Sequence, residues 1–103
     1  MKLNADQRAE FDREGYLFFP GLFTPEEANL LKAEADNVYA LQREEVWRET
    51  SGVARTAFAA HTYNEGFRRL GAHPRLIEPV SDLLGGDVYM HQFKVNAKAA
   101  FDG

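Results

Sequence analysis

The order of apolar and polar positions predicts a helical chain that turns to extended structure at its end. Asn4 and Gln7 have the spacing of a capping box, Asp6 lies in the first turn, and Gly15 offers a left-handed stop. Residues 5–14 are therefore predicted helical, with a narrow inner face of Ala5, Ala9 and Phe11. Residues 16–19 form an aromatic, strand-like run that Pro20 and Gly21 break. Thr24, Pro25 and Glu27 then supply an N-cap oxygen, a proline whose missing N–H costs nothing at the first helical position, and a carboxylate that reaches back. A helix is predicted from Pro25 to about Gln42. Ala28, Leu31, Ala35 and Val38 recur at spacings of three and four on its inner stripe, and Glu26, Lys32, Glu34 and Asp36 face outward.

Residues 43–50 alternate charges around Val46 and Trp47, a pattern compatible with a longer helix or an irregular crossing. Ser51 and Gly52 punctuate the chain, and residues 53–60 are predicted as a strand. Asn64 can cap a helical turn through Leu70. His73-Pro74 opens a further helix whose apolar face is Leu76, Ile77, Val80, Leu83 and Leu84, and Gly85-Gly86 stops it. Pro79 lies inside that pattern and removes a backbone hydrogen bond to residue 75, which predicts a kink or a restart.

Residues 87–98 read as the longest strand, and successive side chains of a strand point to opposite faces. Odd positions (Tyr89, His91, Phe93, Val95, Ala97) make a largely apolar face suited to packing on helices. Even positions begin apolar with Val88 and Met90 and turn polar through Gln92, Lys94, Asn96 and Lys98. On an open sheet such a face meets water and needs no function. As the wall of a barrel or cleft, it would bring an amide and an ammonium to a polar ligand, with lysine suited to a carboxylate of an organic acid. Alternation alone does not separate the two.

The chain has 103 residues, 45% hydrophobic and 13% aromatic, enough for a thin core and against disorder. No repeat, low-complexity tract or linker divides it, so one domain over residues 1–103 is expected. Twelve Lys and Arg against sixteen Asp and Glu give a formal charge of -4 with the signs interspersed, so a nucleic-acid partner has no electrostatic support. Cysteine is absent, which removes disulfides and thiolate chemistry and fits a reducing, cytoplasmic setting. The nearly apolar run 16–23 is far short of the roughly 20 residues of a membrane span, so no membrane role is expected. The N-terminus has no apolar signal core and reads as mature protein.

The runs FDREGYLFFPGLFTPEEANLLKAEAD and HPRLIEPVSDLLGGDVYMHQFKVNAKAAF, and within the second the pattern HQ-x-x-x-N-x-K at His91, Gln92, Asn96 and Lys98, resemble the phytanoyl-CoA dioxygenase superfamily, in its ectoine hydroxylase-like branch. The resemblance spans about Asp6 to Phe101 and implies an α+β fold, N-terminal helices followed by the first strands of a double-stranded β-helix (jelly roll), truncated. It implies an Fe(II)/2-oxoglutarate-dependent hydroxylase of a small polar, ectoine-like metabolite, turning 2-oxoglutarate to succinate. Lys98 would then match the residue that binds the far carboxylate of 2-oxoglutarate, with Asn96 in support, and Gln92 a substrate contact. Arg55, Phe58 and His61 resemble an Arg-x-x-Phe-x-x-His stretch at the active-site entrance, which makes Phe58 and Arg55 substrate-binding candidates.

Such enzymes hold iron with two histidines and a carboxylate, the first two ligands as His-x-Asp. His61, His73 and His91 are followed two residues later by Tyr63, Arg75 and Phe93, so that pair is absent. The resemblance places it soon after the position of Lys98, and a chain ending before it is expected to bind neither iron nor 2-oxoglutarate alone. The histidines present have simpler readings: His91 packed on the apolar face, His73 an N-cap, His61 in a loop. Ser51 and Ser81 lie in no nucleophile motif, and Glu44, Glu45 and Glu49 make a charged surface. No catalytic or metal-binding residue is therefore assigned. The alternative function is a non-catalytic α+β interaction module, a partial fold that self-associates as a homo-oligomer through an exposed strand edge.

Overall fold

The structure, a computed structural model, describes residues 2–101. Helix α1 (Ala5–Glu14) and helix α2 (Pro25–Tyr39) precede strands β1 (Val46–Arg48) and β2 (Ala54–Phe58). A 3-10 turn (Ala60–Thr62) leads into helix α3 (Glu65–Gly71) and helix α4 (Pro74–Leu84), and strand β3 (Lys94–Asn96) closes the order. The three strands form an antiparallel sheet in the order β1-β2-β3.

The capping chemistry works as the spacing predicts. Asn4 accepts from the Gln7 N–H while Gln7 Oε1 accepts from Asn4 N–H, and Thr24 and Glu27 do the same for α2. Asn64 accepts from Phe67 N–H, and His73 Nδ1 accepts from Arg75 N–H at 3.1 Å. Gly15 and Gly85 end their helices at φ 81° and 76°, where a Cβ would be strained.

Several expectations are corrected. Residues 16–19 form no strand, and none of the three strands among the described residues pairs with them. Helix α2 stops at Tyr39, three residues early, because the chain turns into β1: Arg48 Nη2 donates to Tyr39 O at 2.6 Å and to Leu41 O at 3.2 Å, holding the exit. Glu34 is not outward-facing, since its carboxylate accepts from Asn64 Nδ2 at 2.7 Å and ties α2 to the start of α3. Helix α4 runs through Pro79 without a restart; the ring is buried, and that apolar contact offsets the missing hydrogen bond. Strand β3 is three residues long where twelve were expected. Its partner β2 ends at Phe58, and Ala59 (φ 55°) swings the backbone into the 3-10 turn, leaving nothing for residues before Phe93 to pair with.

The core is small and one-sided. Val38, Val46, Ala57, Ala60 and Phe67 are buried together, with Leu31, Ala35, Leu70, Phe93 and Val95 packed around them. Two ionic clamps join the helices. Arg75 donates to Leu22 O (2.9 Å) and to both Glu27 oxygens, with its guanidinium 4.5 Å from the Phe23 ring centre. Asp82 receives Arg8 and the Leu3 N–H. The radius of gyration, 16.1 Å, exceeds the roughly 13 Å of a compact chain this long. The accessible surface of 7630 Å² likewise exceeds the roughly 5,900 Å² that its mass predicts for a closed monomer. Exposed apolar side chains such as Phe18, Leu30, Leu84 and Tyr89 are part of that surface.

Candidate active site

Register fixes which side chains share a face. Val46 pairs with Ala57 and Ala57 with Val95; these three lie on the face that α2 and α3 cover. Trp47, Thr56 and Asn96, with Phe58 opposite Lys94, lie on the other face. No helix covers that second face among the described residues. Thr56 Oγ1 donates to Asn96 Oδ1 at 3.0 Å across β2 and β3, and the Trp47 and Phe58 rings meet edge to face at 4.8 Å.

The sequence-predicted residues gather in two clefts at opposite ends of β3. At the Lys98 end, a polar cleft of about 430 Å³ is lined by Lys98, Asn96, Arg55, Thr56, Ala97 and Glu49. Arg55 Nε lies 3.8 Å from Glu49 Oε1, a long contact between a largely exposed guanidinium and a carboxylate one quarter exposed. At the Gln92 end, a cleft of about 270 Å³ is lined by Gln92, Phe58, His61, His91, Phe93 and Lys94. Lys98 and Asn96 thus come together with Arg55, and Gln92 comes together with Phe58; Gln92 and Lys98 do not share one cavity. Both are exposed, as the even positions of an open face must be.

The histidine expectations divide. His73 is the N-cap foreseen. His91 is exposed and lines the second cleft rather than packing on an apolar face, because the strand that would have seated it is not formed. His61 is in no open loop: it occupies the 3-10 turn, half-buried, with its ring 5.1 Å from Phe93. Phe58 is set from behind by Tyr63, whose hydroxyl donates to Phe58 O at 2.9 Å and whose pKa burial pushes above the ordinary phenol value. Sequence reasoning missed Glu49 and Thr56 as cleft residues. The strand predicted over 53–60 contains Thr56, but only the register with Asn96 puts it at the site.

Residues 11–103 match the family model for phytanoyl-CoA dioxygenase (PhyH). The chain belongs to that family. It is 38% identical to the ectoine dioxygenase of Stutzerimonas stutzeri over 98 residues, 90% of this chain and 32% of that protein. Against the L-proline trans-4-hydroxylase of Streptomyces griseoviridis it is 33% identical over 99 residues, 95% of this chain and 37% of that one. Its fold superposes on the crystal structure of EctD from S. alaskensis with 2-oxoglutarate and 5-hydroxyectoine at a TM-score of 0.81 and 32% identity, covering 91% of this chain and 35% of the other. EctD with bound Fe gives 0.80 and 34% over the same shares. This PhyH chain therefore spans about a third of the length of the proteins it matches, and its helices and small sheet correspond to part of the EctD fold.

Iron and 2-oxoglutarate, held by the EctD structures, can be tested against the residues present. Among the described residues no group of three or more His, Asp or Glu could hold a metal ion, so these residues do not fit the iron. A carboxylate of 2-oxoglutarate does fit the polar cleft, where two cations and two hydrogen-bonding side chains outnumber the single Glu49. No helix of the described residues is long and apolar enough to cross a membrane.

Proposed function

We propose that residues 1–103 form the N-terminal part of one PhyH-type domain, a cytoplasmic Fe(II)/2-oxoglutarate-dependent hydroxylase of a small polar metabolite of the ectoine kind. The relatives named for ectoine and for L-proline support a compact substrate that carries a carboxylate. In this reading Lys98 anchors the far carboxylate of 2-oxoglutarate through a charge-assisted hydrogen bond, and Asn96, steadied by Thr56, supports it. Gln92 orients the substrate, Phe58 offers an apolar wall, and Arg55 receives an acidic group at the cleft's rim. The described residues do not fit the iron, so no part in holding it is given to them. The share of this chain is confined to binding, orientation and exclusion of water.

The observation that carries the reading is the meeting of Lys98, Asn96 and Arg55 in one polar cleft of a chain that superposes on EctD with 2-oxoglutarate. The test joins this chain to the remaining two thirds of the S. alaskensis protein and measures succinate formation. Lys98→Ala should raise the 2-oxoglutarate concentration for half-maximal rate by about tenfold or more, with iron content unchanged. An unchanged requirement removes the assignment.

A second reading, a non-catalytic module that self-associates, draws on the excess surface and on the edge of β3. Ala59 N–H bonds Phe93 O and Ala97 N–H bonds Arg55 O, so odd residues of that segment face β2 and the even residues turn their backbone groups outward. Lys94 and Lys98 stand along this edge, the charges that discourage edge pairing. Light scattering across a concentration series decides it: a mass that stays monomeric ends the module reading.

A further inference from the structure

His61 lines both the Phe58–Gln92 cleft and its neighbour against Met90 and Tyr89, and its ring nitrogens are unequally placed. Nδ1 is sealed from solvent and has no hydrogen-bond partner among the described residues. Nε2 is not among the sealed, unpartnered atoms. One core ring lies against the imidazole: Phe93 at 5.1 Å, which itself rests on Phe67 at 5.6 Å.

The turn that carries His61 is tightly fixed. It begins at Ala59, a residue with a Cβ held at φ 55°, a conformation that costs energy and persists only where its surroundings impose it. Ala59 N–H donates to Phe93 O (2.8 Å), Thr62 Oγ1 donates to Ala59 O (2.7 Å), and the adjoining Ala60 is wholly buried. A buried N–H with no acceptor is rarer and more costly than an acceptor left without a donor. A proton on Nε2 rather than on the sealed Nδ1 avoids that cost and keeps the donor on the nitrogen that is not sealed from solvent. Lys94 and Gln92 add further donors in the Phe58–Gln92 cleft, and no acidic side chain lines this cleft, in contrast to Glu49 in the other.

We infer that His61 is a binding residue whose Nε2–H donates to a carboxylate oxygen seated between Phe58, Gln92 and Lys94. The inference deepens the proposed function, on which it rests for the identity of the ligand: the carboxylate belongs either to the substrate or to 2-oxoglutarate. At about 270 Å³ the cleft lies just below the roughly 300 Å³ at which small-molecule sites begin, so it takes one end of a metabolite and leaves the rest outside.

Nitrogen-15 spectra of the 103-residue chain test the tautomer directly, and titrations of the joined protein with 2-oxoglutarate and, separately, L-proline test the ligand. The expected result is an Nε2-protonated neutral ring whose signals move saturably with one of the two probes, which also identifies the carboxylate's source. His61→Phe, which keeps a ring without the donor, should weaken that binding about tenfold or more; His61→Gln, whose amide reaches the Nε2 position, should stay within about threefold of wild type. Thermal melts of both variants show whether the turn survives. An Nδ1-protonated ring, no shift with either probe, or binding by His61→Phe equal to wild type overturns the inference. The Lys98→Ala measurement in the joined protein is separate: carboxylate binding at His61 without turnover there leaves this site standing and removes the hydroxylase reading, and turnover without binding at His61 does the reverse.

Discussion

The two faces of the sheet obey opposite rules. On the helical side, Val46, Ala57 and Val95 meet Val38 and Phe67 in a core sealed from water, and each neighbouring helix arrives capped and clamped. On the other side Trp47, Lys94 and Asn96 are exposed around a buried Thr56 and a half-buried Phe58, with one side-chain hydrogen bond and one ring contact between them. The first face stabilises the chain, and the second leaves polar groups in place for something else to meet. Side chains that keep their donors available at an accessible surface are what a binding wall requires.

The contrast can be broken most severely from the core. Phe67→Ala removes the largest buried ring and the support beneath Phe93, and should cost about 3–5 kcal/mol, enough to abolish cooperative urea unfolding in a chain with so thin a core. Asn64→Ala should cost about 1–2 kcal/mol by the same measurement, since it deletes both the N-cap of α3 and the bond to Glu34. Asn96→Ala on the open face should lower stability by no more than about 1 kcal/mol; a loss as large as that of Phe67→Ala would mean that the face is structural and not a binding wall.

Acid gives the smallest and most specific effect. The Arg75 guanidinium, helped by the Thr24 N–H, holds the Glu27 carboxyl down at about 2 from its ordinary 4.5. A carboxylate with a lowered pKa in the folded state adds stability that is fully present above the unfolded value and is lost as pH falls through the folded one. Melting temperature should therefore drop between pH 4.5 and 2, and Glu27→Gln should flatten part of that slope. Exposure and salt screening keep the contribution modest, so the drop should shrink in high salt.

What the sequence determined by itself was local. Capping boxes at Asn4 and Thr24, the His73 N-cap and the glycine stops each depend on residues within four positions of one another, so spacing alone reveals them. The alternation of Phe93, Lys94, Val95 and Asn96 likewise sorts the two faces of β3 correctly. Tertiary structure decided the rest, because it depends on partners far along the chain. Glu34 turns inward only because Asn64 arrives 30 residues later, and β3 ends where β2 turns away at Ala59. Lys98 meets Arg55, and Phe58 meets Gln92, only through the register of Thr56 on Asn96. Which of these polar groups faces a ligand is a property of how strands pair across 40 residues, and no local pattern carries that information.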